Sequence, residues 1–132
     1  MGRRKKGTRS RIDSTHRRKL SEIIWEFAGE FIRTGDSPEE RQSILNAACS
    51  AWSIACHPPE MRSQHMDHYM REFQRFNSDA DEEQLAFVRG NMEKLIRRKL
   101  AKYPTDLRQI LGARIVKSGD QERVEIVSAR MP

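Results

Sequence analysis

Apolar side chains recur at spacings of three and four residues in four consecutive stretches between residues 14 and 103. This period places them on one face of an α-helix. Helix-stop and helix-start signals separate the stretches: Thr34-Gly35, Ser37-Pro38, His57-Pro58-Pro59 and Asn77-Ser78-Asp79. The pattern therefore predicts a mainly α fold, a compact bundle of about four helices.

The same signals give expected bounds for each helix. The first helix is predicted from Ser14 or Thr15 to Arg33, and the second from Pro38 to His57, with Ser37 as its cap. The third is predicted from Pro59 or Glu60 to Phe76, and the fourth from Ala80 to Lys102. The buried face expected for the third helix consists of Met66, Tyr69, Met70, Phe73 and Phe76.

After Pro104 the period changes. The segments 110–116 and 123–129 are short and rich in β-branched residues, and residues 117–121 between them favour a turn. We expect a β-hairpin over about residues 109–130, and residues 106–111 fit either a helical turn or the start of the first strand. Because a lone hairpin is marginally stable, it must pack on the bundle or pair with a second copy or a partner strand. Residues 14–132 are thus predicted to form one domain.

Positive charge is concentrated at the N-terminus. Residues 1–19 hold nine cations against one anion, Asp13, whereas the other 113 residues hold 16 cations and 18 anions. Residues 1–13 contain two glycines and no large apolar side chain before Ile12, so they cannot bury enough surface to offset the entropy of ordering. We expect residues 1–13, here called the basic arm, to be disordered in the isolated chain.

A basic arm of this composition suits a polyanion, because cationic side chains neutralise phosphates. It has no aromatic side chain to stack on bases, so contact with DNA or RNA is expected to be nonspecific. Contact with an acidic protein, or a solubilising terminus without a ligand, are the alternatives. The residues predicted to contact phosphates are Arg3, Arg4, Lys5, Lys6, Arg9, Arg11, Arg17, Arg18 and Lys19.

Cysteine and histidine spacings predict neither a disulfide nor a metal site. Cys49 and Cys56 lie seven residues apart on one helix, about 10 Å, which is too far for a disulfide. The spacing of Cys49, Cys56, His57 and His65 matches no compact zinc pattern. His68, near His65, lacks the accompanying Glu-x-x-His pairs of a di-iron site. No cofactor or metal is expected, and two thiols without a secretory signal predict a reducing, cytoplasmic setting.

One short motif suggests catalysis. The run Arg62-Ser63-Gln64-His65-Met66-Asp67-His68 resembles the Arg-x4-6-His signature of HEPN ribonucleases, small helical bundles that dimerise to form a joint active site. The resemblance covers these seven residues and the all-helical character. It implies that Arg62 would stabilise charge at the scissile phosphate and that His68 would transfer a proton.

These observations favour a non-enzymatic accessory protein. It is expected to contact nucleic acid through the basic arm, and a protein partner or its own copy through the helical body. The alternatives are a HEPN-like ribonuclease using Arg62 and His68, and a pure protein-interaction subunit of a larger complex. No apolar run approaches the ~20 residues of a membrane-spanning helix, so no membrane association is expected.

Overall fold

The structure is a computed structural model that describes residues 18–130. These residues form four helices followed by a two-stranded antiparallel hairpin, as the sequence predicts. The elements are α1 (Leu20–Ile32), α2 (Pro38–Cys56), α3 (Pro59–Phe76), α4 (Glu82–Lys102), β1 (Arg108–Ser118) and β2 (Gln121–Arg130). The predicted disorder of the basic arm lies outside the described residues.

Side-chain caps explain where α2 and α4 begin. Ser37 accepts a hydrogen bond on its hydroxyl from the backbone N–H of Glu40 at 3.1 Å, which confirms the predicted cap. Helix α4 begins two residues later than predicted, because Asp81 and Gln84 form a reciprocal capping box there. A cap of this kind satisfies two backbone N–H groups that the helix itself cannot pair.

Helix α1 begins at Leu20, so the prediction of helix through Arg18 and Lys19 is wrong, and the predicted start at Ser14 or Thr15 lies outside the described residues. Lys19 has an extended backbone, with ψ of 132°, and makes no side-chain cap. Cationic side chains at a helix start oppose the helix dipole, which disfavours extending the helix toward them.

Trp52 of α2 is the centre of the core. It is fully buried and packs edge-on against Phe27 of α1 at 5.4 Å between ring centroids. Tyr103, directly after α4, lies 5.6 Å from the indole. Helix α2 contacts the other three helices and β1, so the element that carries the indole lies at the centre of the fold. The small residues Ala48, Ala51 and Ala55 beside Trp52 are also buried in this core.

The hairpin has about the predicted span, but its two strands are longer than predicted because the turn between them is shorter. Ser118 pairs with Gln121, so only Gly119 and Asp120 form the turn. Gly119 has φ of +64° and Asp120 does not have a positive φ, which is the pattern of a type II′ turn. A bulge at Leu111 interrupts the register. The inner face of the hairpin packs on α1 and α2, and Val124 is buried there.

Helix α3 has the predicted bounds, but its predicted buried face is wrong at one end. Met66 is buried and Tyr69 and Met70 are half-buried, whereas Phe76 is 78% exposed. Only α2 and α4 pack against α3, and neither covers Phe76 at its last position. Periodicity identifies a helical face but not whether a neighbour covers it.

None of the helices in residues 18–130 is both long enough and apolar enough to cross a lipid bilayer. Both cysteines are buried free thiols in α2. Burial raises the pKa of Cys49 to about 12, so this thiol is inert at neutral pH.

Candidate functional site

The net charge of the chain comes from residues that precede the described fold. Residues 1–17 hold seven of the 25 cationic side chains and one of the 19 anionic ones, which leaves 18 of each sign for the rest. The helical body is therefore neutral as a whole. The predicted phosphate-contacting residues outside the described range are Arg3, Arg4, Lys5, Lys6, Arg9, Arg11 and Arg17.

Arg18 and Lys19 are the two predicted phosphate-contacting residues that the structure places. The Arg18 guanidinium lies 3.0 Å from a carboxylate oxygen of Glu26, and the pKa of Glu26 is lowered chiefly by this hydrogen bond. Arg108 donates to the Arg18 carbonyl at 3.1 Å. Lys19 is exposed and has no described ion-pair partner. The chain thus leaves the fold beside the open end of the hairpin.

Most arginines of the body are matched by carboxylates. Within residues 18–130 the ion pairs are Arg18–Glu26, Arg41–Glu122, Arg75–Glu72, Arg89–Asp67, Arg98–Glu30, Arg108–Asp106 and Arg114–Glu125. An arginine already paired with a carboxylate has less positive potential to offer a phosphate. The exposed cations without a described ion pair include Lys94, Arg97 and Lys102 near the end of α4.

The structure does not bring Arg62 and His68 into contact. Six residues apart on α3, they point in directions about 120° apart. The Arg62 guanidinium instead donates to the His57 carbonyl at 2.9 Å, and the His57 ring stacks on His65 at 3.8 Å between centroids. Burial, and then the charge of His65, lowers the pKa of His57. The catalytic role of Arg62 and His68 stays a prediction.

The sequence patterns above do not predict a buried ionic cluster that lies near the end of α4. Lys99 is 1% exposed, and its ammonium donates to the carbonyls of Tyr103 at 2.7 Å and Asp106 at 2.5 Å. It also lies 4.8 Å from the centre of the Trp52 ring. Its position four residues after Leu95, on the apolar stripe of α4, is the sequence signal that could have revealed it.

The cluster stabilises the junction between α4 and β1. The Asp106 carboxylate accepts two hydrogen bonds from the Arg108 guanidinium, at 3.0 and 2.7 Å. Burial alone would raise the pKa of Asp106, but these bonds and the charge of Arg108 hold it below its ordinary value. Burial lowers the pKa of Lys99. Every hydrogen-bonding side-chain atom buried in the described part of the chain has a partner, so the cluster reads as structural.

The junction of α3 and α4 exposes aromatic side chains, and acidic residues line the cavity beside one of them, Phe87. Phe76 is 78% exposed and Phe87 is 70% exposed, at the adjoining ends of the two helices. Phe73 and Phe87 line an open cavity of about 770 Å³. Its acidic lining residues are Asp79, Asp81 and Glu83. We call this surface the aromatic tip; exposed aromatic groups of this kind are typical of binding surfaces.

Residues 18–130 contain no cluster of three or more His, Cys, Asp or Glu side chains arranged to hold a metal ion. Comparison of the chain with protein-family models, with curated proteins and with solved structures gives no match.

Proposed function

We propose that the chain is a non-enzymatic, cytoplasmic accessory protein with two binding surfaces. The basic arm binds the phosphates of DNA or RNA nonspecifically. The helical body binds a protein partner or a second copy of the chain.

The observation that carries the nucleic-acid half is the separation of charge. The body pairs seven of its arginines with carboxylates and is neutral as a whole. In contrast, the first 11 residues hold six cations and no anion. The fold therefore adds no net repulsion toward a polyanion, and the arm supplies the attraction. Affinity from phosphate neutralisation is strongly salt-dependent.

The observation that supports the partner half is the aromatic tip. Two phenylalanines more than two-thirds exposed are not required for the core, which forms around Trp52. The acidic residues that line the cavity beside Phe87 favour a partner that presents an apolar side chain beside basic ones.

A salt titration tests the nucleic-acid half. The affinity of the full-length chain for generic duplex DNA and for single-stranded RNA is measured by fluorescence anisotropy across a salt series. Six phosphate contacts predict a slope of log affinity against log salt of about −5 on the duplex. In the full-length variant with Arg3, Arg4, Lys5, Lys6, Arg9 and Arg11 changed to Gln, most of this slope should disappear.

A control variant replaces three exposed cations of the body. The triple variant Lys94→Gln, Arg97→Gln and Lys102→Gln should keep most of the slope. If the unmodified chain shows no binding near physiological salt, or if the body variant loses as much affinity as the arm variant, the arm is not the site. Cleavage of the RNA would instead favour the ribonuclease that Arg62 and His68 suggest, and Arg62→Ala and His68→Ala would then test it.

A further inference from the structure

The outer edge of β1 is already occupied by a side chain of α2. The Gln42 side-chain amide donates to the Ala113 carbonyl at 3.0 Å and accepts from the Ile115 N–H at 2.8 Å. A glutamine bonded in this way takes the place of a neighbouring strand. Ala113 and Ile115 therefore direct their backbone groups away from β2.

The outer edge of β2 is open among the described residues. Ala113 pairs with Ile126, and Ile115 pairs with Val124. In an antiparallel ladder, two directly opposite residues share one orientation. If the backbone N–H and C=O groups of one point away from the partner strand, those of the other do too. The backbone N–H and C=O groups of Glu122, Val124 and Ile126 thus face away from β1, and no residue in the range 18–130 hydrogen-bonds to them. Such an edge is a template for another strand.

We propose that the open edge of β2 pairs with β2 of a second copy of the chain, antiparallel, about a two-fold axis at Val124. Val124 then faces Val124 of the second copy, and Glu122 faces its Ile126. The four strands of the two hairpins form one continuous sheet. The interface is isologous, as two-fold symmetry requires.

Charge complementarity on the solvent face selects both this occupant and this register. Arg123 is exposed with no described ion-pair partner, and Glu125 lies two residues further along the same face. The axis at Val124 places each Arg123 directly opposite Glu125 of the second copy, twice by symmetry. Opposite charges in facing positions stabilise a strand pair.

The two neighbouring registers that also pair outward-pointing groups are repulsive. An axis at residue 123 places Arg123 opposite Arg123 of the second copy, and an axis at residue 125 places Glu125 opposite Glu125. Like charges that face each other destabilise a strand pair. Glu125 already accepts from Arg114 of its own β1 at 2.8 Å. The favoured register therefore extends a row of alternating charge, from Arg114 through Glu125 to Arg123 of the second copy.

This inference takes up the second-copy alternative of the proposed function and places it at the edge of β2, a surface separate from the aromatic tip. It does not depend on nucleic-acid binding. A strand edge alone buries little surface, so the dimer should be weak and dependent on concentration.

Sedimentation equilibrium of the full-length chain without nucleic acid tests the dimer. Between about 1 µM and about 1 mM, the mass should rise from 15.4 kDa toward twice that value. Arg123→Glu places two facing Glu pairs in the interface, and Glu125→Arg places two facing Arg pairs. Each variant alone should weaken self-association at least about tenfold.

An equimolar mixture of the two variants provides the decisive result. In the mixed dimer Glu at position 123 faces Arg at position 125, and the native Arg123 faces the native Glu125. Self-association should therefore return in the mixture, which a folding defect in either variant would not produce. Failure of the mixture to associate more strongly than its components overturns the register.

Two further variants test whether another surface of the chain forms the dimer. Lys94→Glu, at an exposed position of α4, makes the same change of net charge as Arg123→Glu and should leave the dimer unchanged. Phe76→Ser tests the aromatic tip and should also leave it unchanged. A chain that stays monomeric throughout, or a dimer lost in Phe76→Ser but kept in Arg123→Glu, overturns the proposal. The variant with six glutamines in the basic arm should dimerise normally, which separates this result from the nucleic-acid test.

Discussion

Lys99 and Asp106 show how a buried ion can be tolerated in a core of this size. Removing an ion from water is expensive unless hydrogen bonds satisfy it. Lys99 has two carbonyl acceptors and the face of Trp52, and Asp106 has the forked donors of Arg108. The backbone carbonyl of Asp106 accepts from Lys99 while its carboxylate binds Arg108, so this single residue connects the end of α4 to β1.

Asp106→Asn should destabilise the fold at neutral pH by about 1–3 kcal/mol, because the charge-assisted bonds to Arg108 are weakened. The folded-state pKa of Asp106 is depressed, so its stabilisation is fully present above the ordinary value of 3.8 and is lost as pH falls through the lower folded value. The difference in unfolding free energy between the two proteins should therefore shrink below pH 3.8. Urea denaturation at a series of pH values measures it.

The exposed carboxylate Asp79 provides the matched control for this measurement. Asp79→Asn should change the free energy of unfolding little at any pH. A constant difference between Asp106→Asn and the unmodified chain from neutral to strongly acidic pH would contradict the assignment of the stabilisation to the charged carboxylate.

Gln42 connects two elements that lie far apart in the chain. Gln42→Ala should lower the free energy of unfolding by about 1–2 kcal/mol, because the Ala113 carbonyl and the Ile115 N–H lose their partner. The Ile115 amide should also exchange hydrogen faster, which NMR can follow at that single site. Ser43→Ala, at the next and exposed position of α2, should alter neither property. Unchanged protection of Ile115 in Gln42→Ala would show that the edge is covered by something else.

Local sequence signals sufficed for the helices and the hairpin, since caps, prolines and apolar periods act within a few residues. The bounds of α3 follow from Pro59 and Asn77 in this way. The exposure of Phe76 does not, because it depends on which other elements of the fold cover that end of the helix. Burial of Lys99 depends on carbonyls supplied by the chain that follows α4.

The two candidate surfaces also differ in whether the sequence alone can predict them. The basic arm is visible in the composition of residues 1–13 alone. The open edge of β2 is not, because it becomes apparent only once Gln42 of α2 is seen to cover β1. The opposite charges of Arg123 and Glu125 predict a pairing register only once it is known which backbone groups of β2 point away from β1.

The two proposed surfaces should act together in the whole molecule, because a dimer carries two basic arms. Arg108 pairs with Arg130 at the open end of the hairpin and also bonds to Arg18, where the arm leaves the fold. Six residues of strand separate Val124 from Arg130, roughly 20 Å. A two-fold axis at Val124 therefore places the points where the two arms leave their folds roughly 40 Å apart. This distance is the length of about 12 base pairs of duplex.

Affinity should consequently depend on duplex length. A duplex of about 30 base pairs can engage both arms of a dimer, whereas one of about 8 base pairs engages one, and the second contact benefits from a high effective concentration. Arg123→Glu should therefore weaken binding to the long duplex by about tenfold or more while altering binding to the short one little. Anisotropy titrations at fixed salt, with protein concentrations at which the dimer forms, measure both. Lys94→Glu makes the same change of net charge but does not alter β2. If that variant loses as much affinity as Arg123→Glu, or if Arg123→Glu loses equal affinity for the two duplexes, net charge and not pairing of the copies sets the affinity.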